Sequence, residues 1–149
     1  MNVSFHDEEV RVKVEKQNSA ERARLCALIK DITVVMFTSR NADGTLSSRP
    51  MSPLEMDGNG ALWFFTDARA TQADQLDAAK LSFTDAVKSQ HVLLSGRGEI
   101  ETDRARIDRL WTPLLKPRFA DGPGSPNLAL LKFVPDTTEY RDAPYIKPY

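Results

Sequence analysis

The sequence predicts a mainly β domain, with antiparallel strands closed into a barrel and helices flanking it. Three observations carry that expectation. The stretch from Thr33 to Asp67 holds three apolar runs separated by the turn signals Asn41-Ala42-Asp43-Gly44 and Asp57-Gly58-Asn59-Gly60. The strand-like run Gln90 to Glu101 contains Gly96 and Gly98, an alternation that weakens a flat strand but suits one that bends or meets another backbone closely. The chain of 149 residues suits one domain, and a globule of that size buries roughly 68–70% of its extended-chain surface, so it needs no disulfide or metal to fold.

Composition narrows the function classes. Cys26 is the single cysteine, which excludes an internal disulfide and fits the reducing cytoplasm. The start, MNVSFHDEEV, lacks a basic region followed by an apolar core, and no apolar run is long enough to cross a bilayer, so a soluble, non-secreted protein is expected. Net charge is −1, with Lys and Arg interspersed among Asp and Glu. Nucleic acid and anionic membranes therefore lack their electrostatic footprint and are not expected partners. His6, His91 and Cys26 cannot assemble an ordinary zinc site, and no metal is expected.

Residues 1–18 read as an extended or disordered arm: Val10, Val12 and Val14 alternate with charges as a strand would, in a segment too polar to bury much. From the N-cap Ser19, Leu25, Leu28, Ile29 and Ile32 fall on one stripe of a helix, with Cys26 beside it as a small, partly buried residue. The three apolar runs that follow predict a three-stranded antiparallel meander, because Val34 to Phe37 and Leu62 to Phe65 are β-branched and aromatic. Treating Asp57 to Gly60 as a four-residue loop sets Met56 opposite Ala61, Met51 opposite Thr66 and Arg49 opposite Ala68, with Arg49, Met51 and Thr66 on one face. A helix over Ala70 to Ala78, with Thr71 as N-cap, would begin beside that face. A guanidinium and a hydroxyl next to a helix N-terminus make a place for a phosphate.

Strands are expected over Lys80 to Ala86 and Gln90 to Glu101. A helix over Asp103 to Trp111 places Ile107, Leu110 and Trp111 inward and Arg104, Arg106 and Arg109 toward water. The Pro- and Gly-rich segment after it carries Leu114, Leu115 and Phe119 as buried anchors, and such loops cover a site or a subunit contact. Leu128 to Pro135 and Thr137 to Asp142 supply a closing strand or strand pair, and residues 143–149 form a tail.

The motifs SSRPM (47–51), LWFFTD (62–67), LSGRGEI (94–100), DRLWTPLLK (108–116), ADGPGSPNLALLKFVP (120–135) and TEYRD (138–142), in this order, resemble the pyridoxamine 5′-phosphate oxidase-like FMN-binding split barrels, in their general stress protein branch. The likeness spans residues 19–142. It implies an antiparallel split β-barrel that dimerises and binds FMN at the subunit interface. Arg49 then matches the phosphate-binding arginine, Pro50 and Met51 the strand beside the isoalloxazine, and Phe65, Thr66 and Asp67 the segment on the ribityl and phosphate groups. Trp111, within DRLWTPLLK, joins the same set of cofactor-binding candidates.

The chain also departs from that pattern. Gln72 stands where the family commonly has a phosphate-binding lysine, so weaker FMN binding is expected unless Arg69 supplies the charge. Arg118 and Arg141 stand where relatives often have aromatics. FAD or another flavin stays open, and no residue presents itself as a catalytic acid or base. Two functions therefore compete: an FMN-dependent oxidoreductase, and a non-catalytic dimeric protein that binds FMN weakly or takes another flavin, a deazaflavin or a tetrapyrrole.

Overall fold

The structure, a computed structural model, describes residues 12–16, 23, 26–27, 34–69, 76–85 and 90–142. Its strands are β1 (Val12–Lys16), β2 (Val35–Arg40), β3 (Leu46–Met51), β4 (Glu55–Met56), β5 (Leu62–Asp67), β6 (Ala79–Asp85), β7 (Gln90–Glu101) and β8 (Leu128–Asp142), with helix α1 (Arg104–Leu110) between β7 and β8. All the strands join one antiparallel sheet, in the order β3-β2-β6-β7-β8-β5-β4. The C-terminal part of the long strand β8 also pairs with β1, within the segment expected to be an arm. Of the helix expected over Ser19 to Ile32, Ala23, Cys26 and Ala27 are described; they are helical and exposed, and Cys26 is not the partly buried residue expected.

The sheet curls. Phe37 on β2 meets Phe133 on β8 edge to face, with ring centroids 6.4 Å apart, although three strand spacings, about 14 Å, separate those strands on a flat sheet. The concave side encloses Phe37, Leu62, Phe64, Leu81, Phe83, Leu94, Leu131 and Phe133. On the convex side, Trp63, Leu128 and Leu130 are covered by Ile107 of α1 and by Phe119. β5 and the first half of β8 are therefore buried on both faces, which is why LWFF and LALL are unbroken apolar runs and not alternating ones.

Gly96 lets the curl form. A Cβ there would lie 2.0 Å from the carbonyl oxygen of Val134, and the β7–β8 register shifts between Ser95 and Gly96, leaving Asp136 as the extra residue of a bulge.

The first hairpin of the expected meander forms, β2 pairing antiparallel with β3 across the turn at Asn41 to Gly44, but its second half differs in two ways. Asp57 N–H bonds the carbonyl of Ala61, Gly60 N–H bonds that of Asp57, and Gly60 has φ 87°. This is a three-residue loop ending in a glycine bulge, so Met56 faces Leu62 and the register slips by one residue from the expected pairing. Secondly, β3 keeps the expected pairing with β2 but does not also pair with β5, whose neighbours are β4 and β8. Arg49 lies opposite Phe37, and Met51 opposite Val35. The chain then crosses from one sheet edge to the other through Ser52, Pro53 and Leu54, because Pro53 interrupts strand pairing.

Among the described residues no pairing joins β3 to β4, so the sheet stays open. Yet Met51 to Glu55 is four Cα steps, at most roughly 15 Å, and the two edges therefore stand close at that end. The result is a seam.

Most of the expected helix over Ala70 to Ala78 lies outside the described residues; its described end, Leu76 to Ala78, is not helical, and Ala79 already belongs to β6. β8 is one continuous strand and not a pair. Leu114 is 88% exposed and anchors nothing, whereas Phe119 is buried as expected.

Candidate functional site

A cavity of about 230 Å³ opens at the seam, lined by Val34, Pro50, Met51, Ser52, Leu54, Phe65, Leu115, Arg118 and Phe119. Each wall follows from a local cause. Pro50 and Met51 end β3 where the chain turns away to the other edge. Phe65 projects from the convex side of β5 because Phe64 and Thr66 alternate to the concave side. Leu115 belongs to a 3₁₀ turn (Pro113–Leu115) whose start is capped by Thr112, its hydroxyl accepting from Leu114 N–H. The backbone N–H groups of Arg118 and Phe119 both donate to the carbonyl of Leu115, at 3.1 and 3.0 Å, and this folds the loop onto the seam.

Trp111, the C-cap of α1, backs the Phe65 wall edge to face, with centroids 6.4 Å apart. The helix is held to the seam by Glu55 of β4. Its carboxylate accepts from Arg109 Nη1 and Nη2, each at 2.9 Å, and from Arg106. Arg106 in turn lies 4.0 Å from the centroid of the Trp63 ring. Arg106 and Arg109 thus clamp α1 to the hairpin, where the sequence suggested a solvated face; the distant Glu55 gave no sequence signal. Hydrogen bonding from Arg109, reinforced by the charges of Arg109 and Arg106 against a partial desolvation, lowers the pKa of Glu55 below the usual carboxylate value.

The other expected site residues that are described do not line the cavity. Alternation puts Arg49 on the concave side with Phe37, its guanidinium 5.6 Å from that ring's centroid, and Thr66 is buried on the same side of β5. Neither is among the lining residues. At the end of β5, Arg69 grips Asp67 through Nε at 3.1 Å and Nη2 at 2.8 Å. Those side-chain bonds, then the Arg69 backbone N–H, hold the Asp67 pKa down at about 2, with a smaller contribution from the charge of Arg118. Gln72 and the Arg141 side chain lie outside the described part of the structure.

The structure therefore brings Pro50, Met51, Phe65 and Arg118 to one wall, with Trp111 behind. Val34, Ser52 and Leu54 were not foreseen there, since only the break at Pro53 could have marked them. Among the described residues, Arg118 is the one titratable side chain on the wall, and a guanidinium stays protonated. The cavity can hold a flat apolar body and place a cation against it, and its described residues include no general acid or base. Among the described residues no His, Cys, Asp and Glu cluster could hold a metal, and no helix is long and apolar enough to cross a membrane.

A family model described as pyridoxamine 5′-phosphate oxidase like matches residues 20–147. No curated protein matches the chain. Solved structures do. General stress protein 26 from Bacillus anthracis is 21% identical with a TM-score of 0.70, the match covering 85% of this chain and 98% of that one. The general stress FMN/FAD binding protein from Xanthomonas citri is 24% identical with a TM-score of 0.68, over 89% and 96%. A protein from Clostridium acetobutylicum related to general stress protein 26 is 24% identical with a TM-score of 0.68, over 83% and 89%. At these identities the likenesses establish the fold.

Proposed function

Because the chain belongs to the pyridoxamine 5′-phosphate oxidase-like family, we propose that it is a homodimeric, cytoplasmic FMN-binding split-barrel protein of the general stress type whose flavin carries redox chemistry. The observation that supports this most directly is the meeting of Pro50, Met51 and Phe65 at one apolar cavity. A wall whose described residues include no acid or base suits a site in which the bound group supplies the reaction and the protein supplies anchoring and orientation. The residues fit the cofactor. Arg49 has no carboxylate partner among the described residues, its recorded neighbour being the Phe37 ring, so its charge is available for a phosphate. In this reading Pro50 and Met51 flank the ring, Phe65, Thr66 and Asp67 face the ribityl and phosphate groups, and Trp111 braces Phe65.

A second copy of the chain completes the site. About 230 Å³ falls below the roughly 300–1,000 Å³ of a whole small-molecule pocket. Val34, which lines the cavity, and the neighbouring Met36 of β2, exposed by 51% and 40%, offer apolar side chains beside it on which the copy would pack.

One observation favours the weaker-binding alternative, a dimer with low FMN affinity or a different flavin, deazaflavin or tetrapyrrole. Arg69 is committed to Asp67, and so does not replace the charge missing at Gln72. The experiment is direct: look for flavin absorbance in the purified protein, then titrate FMN and riboflavin against the native chain and Arg49→Ala. FMN binding that the variant loses more than riboflavin binding is the expected result, and tight stoichiometric binding by the native chain would sink the weaker-binding alternative. Absence of flavin binding would sink the proposal, and equal losses for both ligands would remove Arg49 from the phosphate.

A further inference from the structure

Arg118 carries a positive charge at the seam cavity that no carboxylate pairs with among the described residues. The carboxylate it influences, Asp67, is already gripped at two points by Arg69. The recorded contact of the Arg118 guanidinium is the Phe119 ring, 5.8 Å from its centroid, and it makes no ion pair among the described residues. Its position is constrained, because its backbone N–H bonds Leu115 and the next residue, Phe119, is 5% exposed. The remaining wall is largely apolar, with Val34, Met51, Leu54 and Phe65. Although the Arg118 side chain is exposed, its backbone anchors it beside an apolar wall, and a cation there favours whichever form of a ligand is negative at that point.

We infer that Arg118 makes this cavity select the reduced flavin ring over the oxidised one. The inference rests on the flavin-binding reading above. Oxidised isoalloxazine is neutral; taking up two electrons and one proton leaves it with one net negative charge. The phosphate of FMN is the same in both forms, so any difference in affinity reports the ring alone. Arg118 thereby has a role separate from phosphate anchoring by Arg49: it biases the bound flavin toward its reduced state.

The test uses the full chain and its Arg118→Gln and Arg118→Lys variants, titrated anaerobically with oxidised FMN and with FMN reduced by dithionite, which supplies the electrons. Arg118 is exposed, so both variants fold. The native chain binds reduced FMN more tightly than oxidised FMN, and Arg118→Gln shrinks that ratio about tenfold, a fall of about 30 mV in the midpoint potential of the bound two-electron couple. Arg118→Lys keeps most of the preference because it keeps the charge. Equal weakening of both forms in Arg118→Gln, or an unchanged ratio, overturns the inference while leaving flavin binding intact. A native chain that binds neither form overturns the flavin reading and this inference with it.

Discussion

Glu55→Ala tests how the wall of the cavity is held. The substitution removes the acceptor for three guanidinium hydrogen bonds, two from Arg109 and one from Arg106. The Arg109 side chain is 57% exposed and returns to water at little cost, whereas Arg106, 25% exposed and stacked on Trp63, keeps its position and loses its counter-charge. Charged hydrogen bonds of this kind contribute about 1.5–3 kcal/mol when partly buried, and solvent screening places the expected loss near 2 kcal/mol. For 149 residues, an unfolding entropy of about 2.1 cal/mol/K per residue converts that to a fall of about 6 °C in Tm. Thermal unfolding followed by circular dichroism reads it. The sign of the pH dependence follows from the lowered Glu55 pKa: the clamp contributes fully above about pH 4.3, the unperturbed glutamate value, and is lost as pH falls through the lower folded-state value. The melting difference between native and Glu55→Ala chains should therefore shrink in acid. A shift under about 1 °C at neutral pH, or a difference that persists unchanged in acid, would show that the clamp is a surface pairing with no hold on α1.

Other outcomes follow from single contacts. Gly96→Ala forces a methyl against the Val134 carbonyl, a backbone atom that cannot swing away, and should cost about 3 kcal/mol or more. Gly98→Ala meets the Leu131 and Leu76 side chains at 3.1 and 3.2 Å and should cost about 1 kcal/mol; equal urea midpoints for the two variants would refute the bulge. Asp57→Ala frees Asn59 N–H, Ala61 N–H and Trp63 Nε1 together, with an expected loss of about 1–2 kcal/mol. Burial raises the Asp57 pKa but is outweighed by those bonds, so the net shift is downward; the contribution of the turn is present above about pH 4 and fades below it, as native and variant urea titrations at two pH values would reveal. Carbon-detected NMR titration should find the Asp67 carboxylate ionised down to about pH 2, and a midpoint near the ordinary aspartate value would mean that Arg69 is not held against it.

Local signals in the sequence were read well where one residue settles them. Asp103 caps α1 as expected, β7 runs from Gln90 to Glu101 as its composition suggested, and the glycine alternation marked a close backbone approach that Gly96 makes. Register was harder, because DGNG admits loops that differ by one residue, and the bulge at Gly60 decides between them. Pairing across the sheet was harder still. Arg49 and Thr66 do share the concave side, but through two different neighbours, Phe37 and Ala129, and not by facing one another. The Glu55 clamp spans more than fifty positions of chain, and no periodicity announces a contact of that range.

The crossing at Ser52, Pro53 and Leu54 has a mechanical consequence. Two free margins of one sheet are tethered by a segment that also lines the cavity, so anything lodged there bolts the margins together, and anything leaving lets them breathe. Amide exchange along β3 and β4 should then slow on ligand binding. A protein built this way senses occupancy through its own backbone.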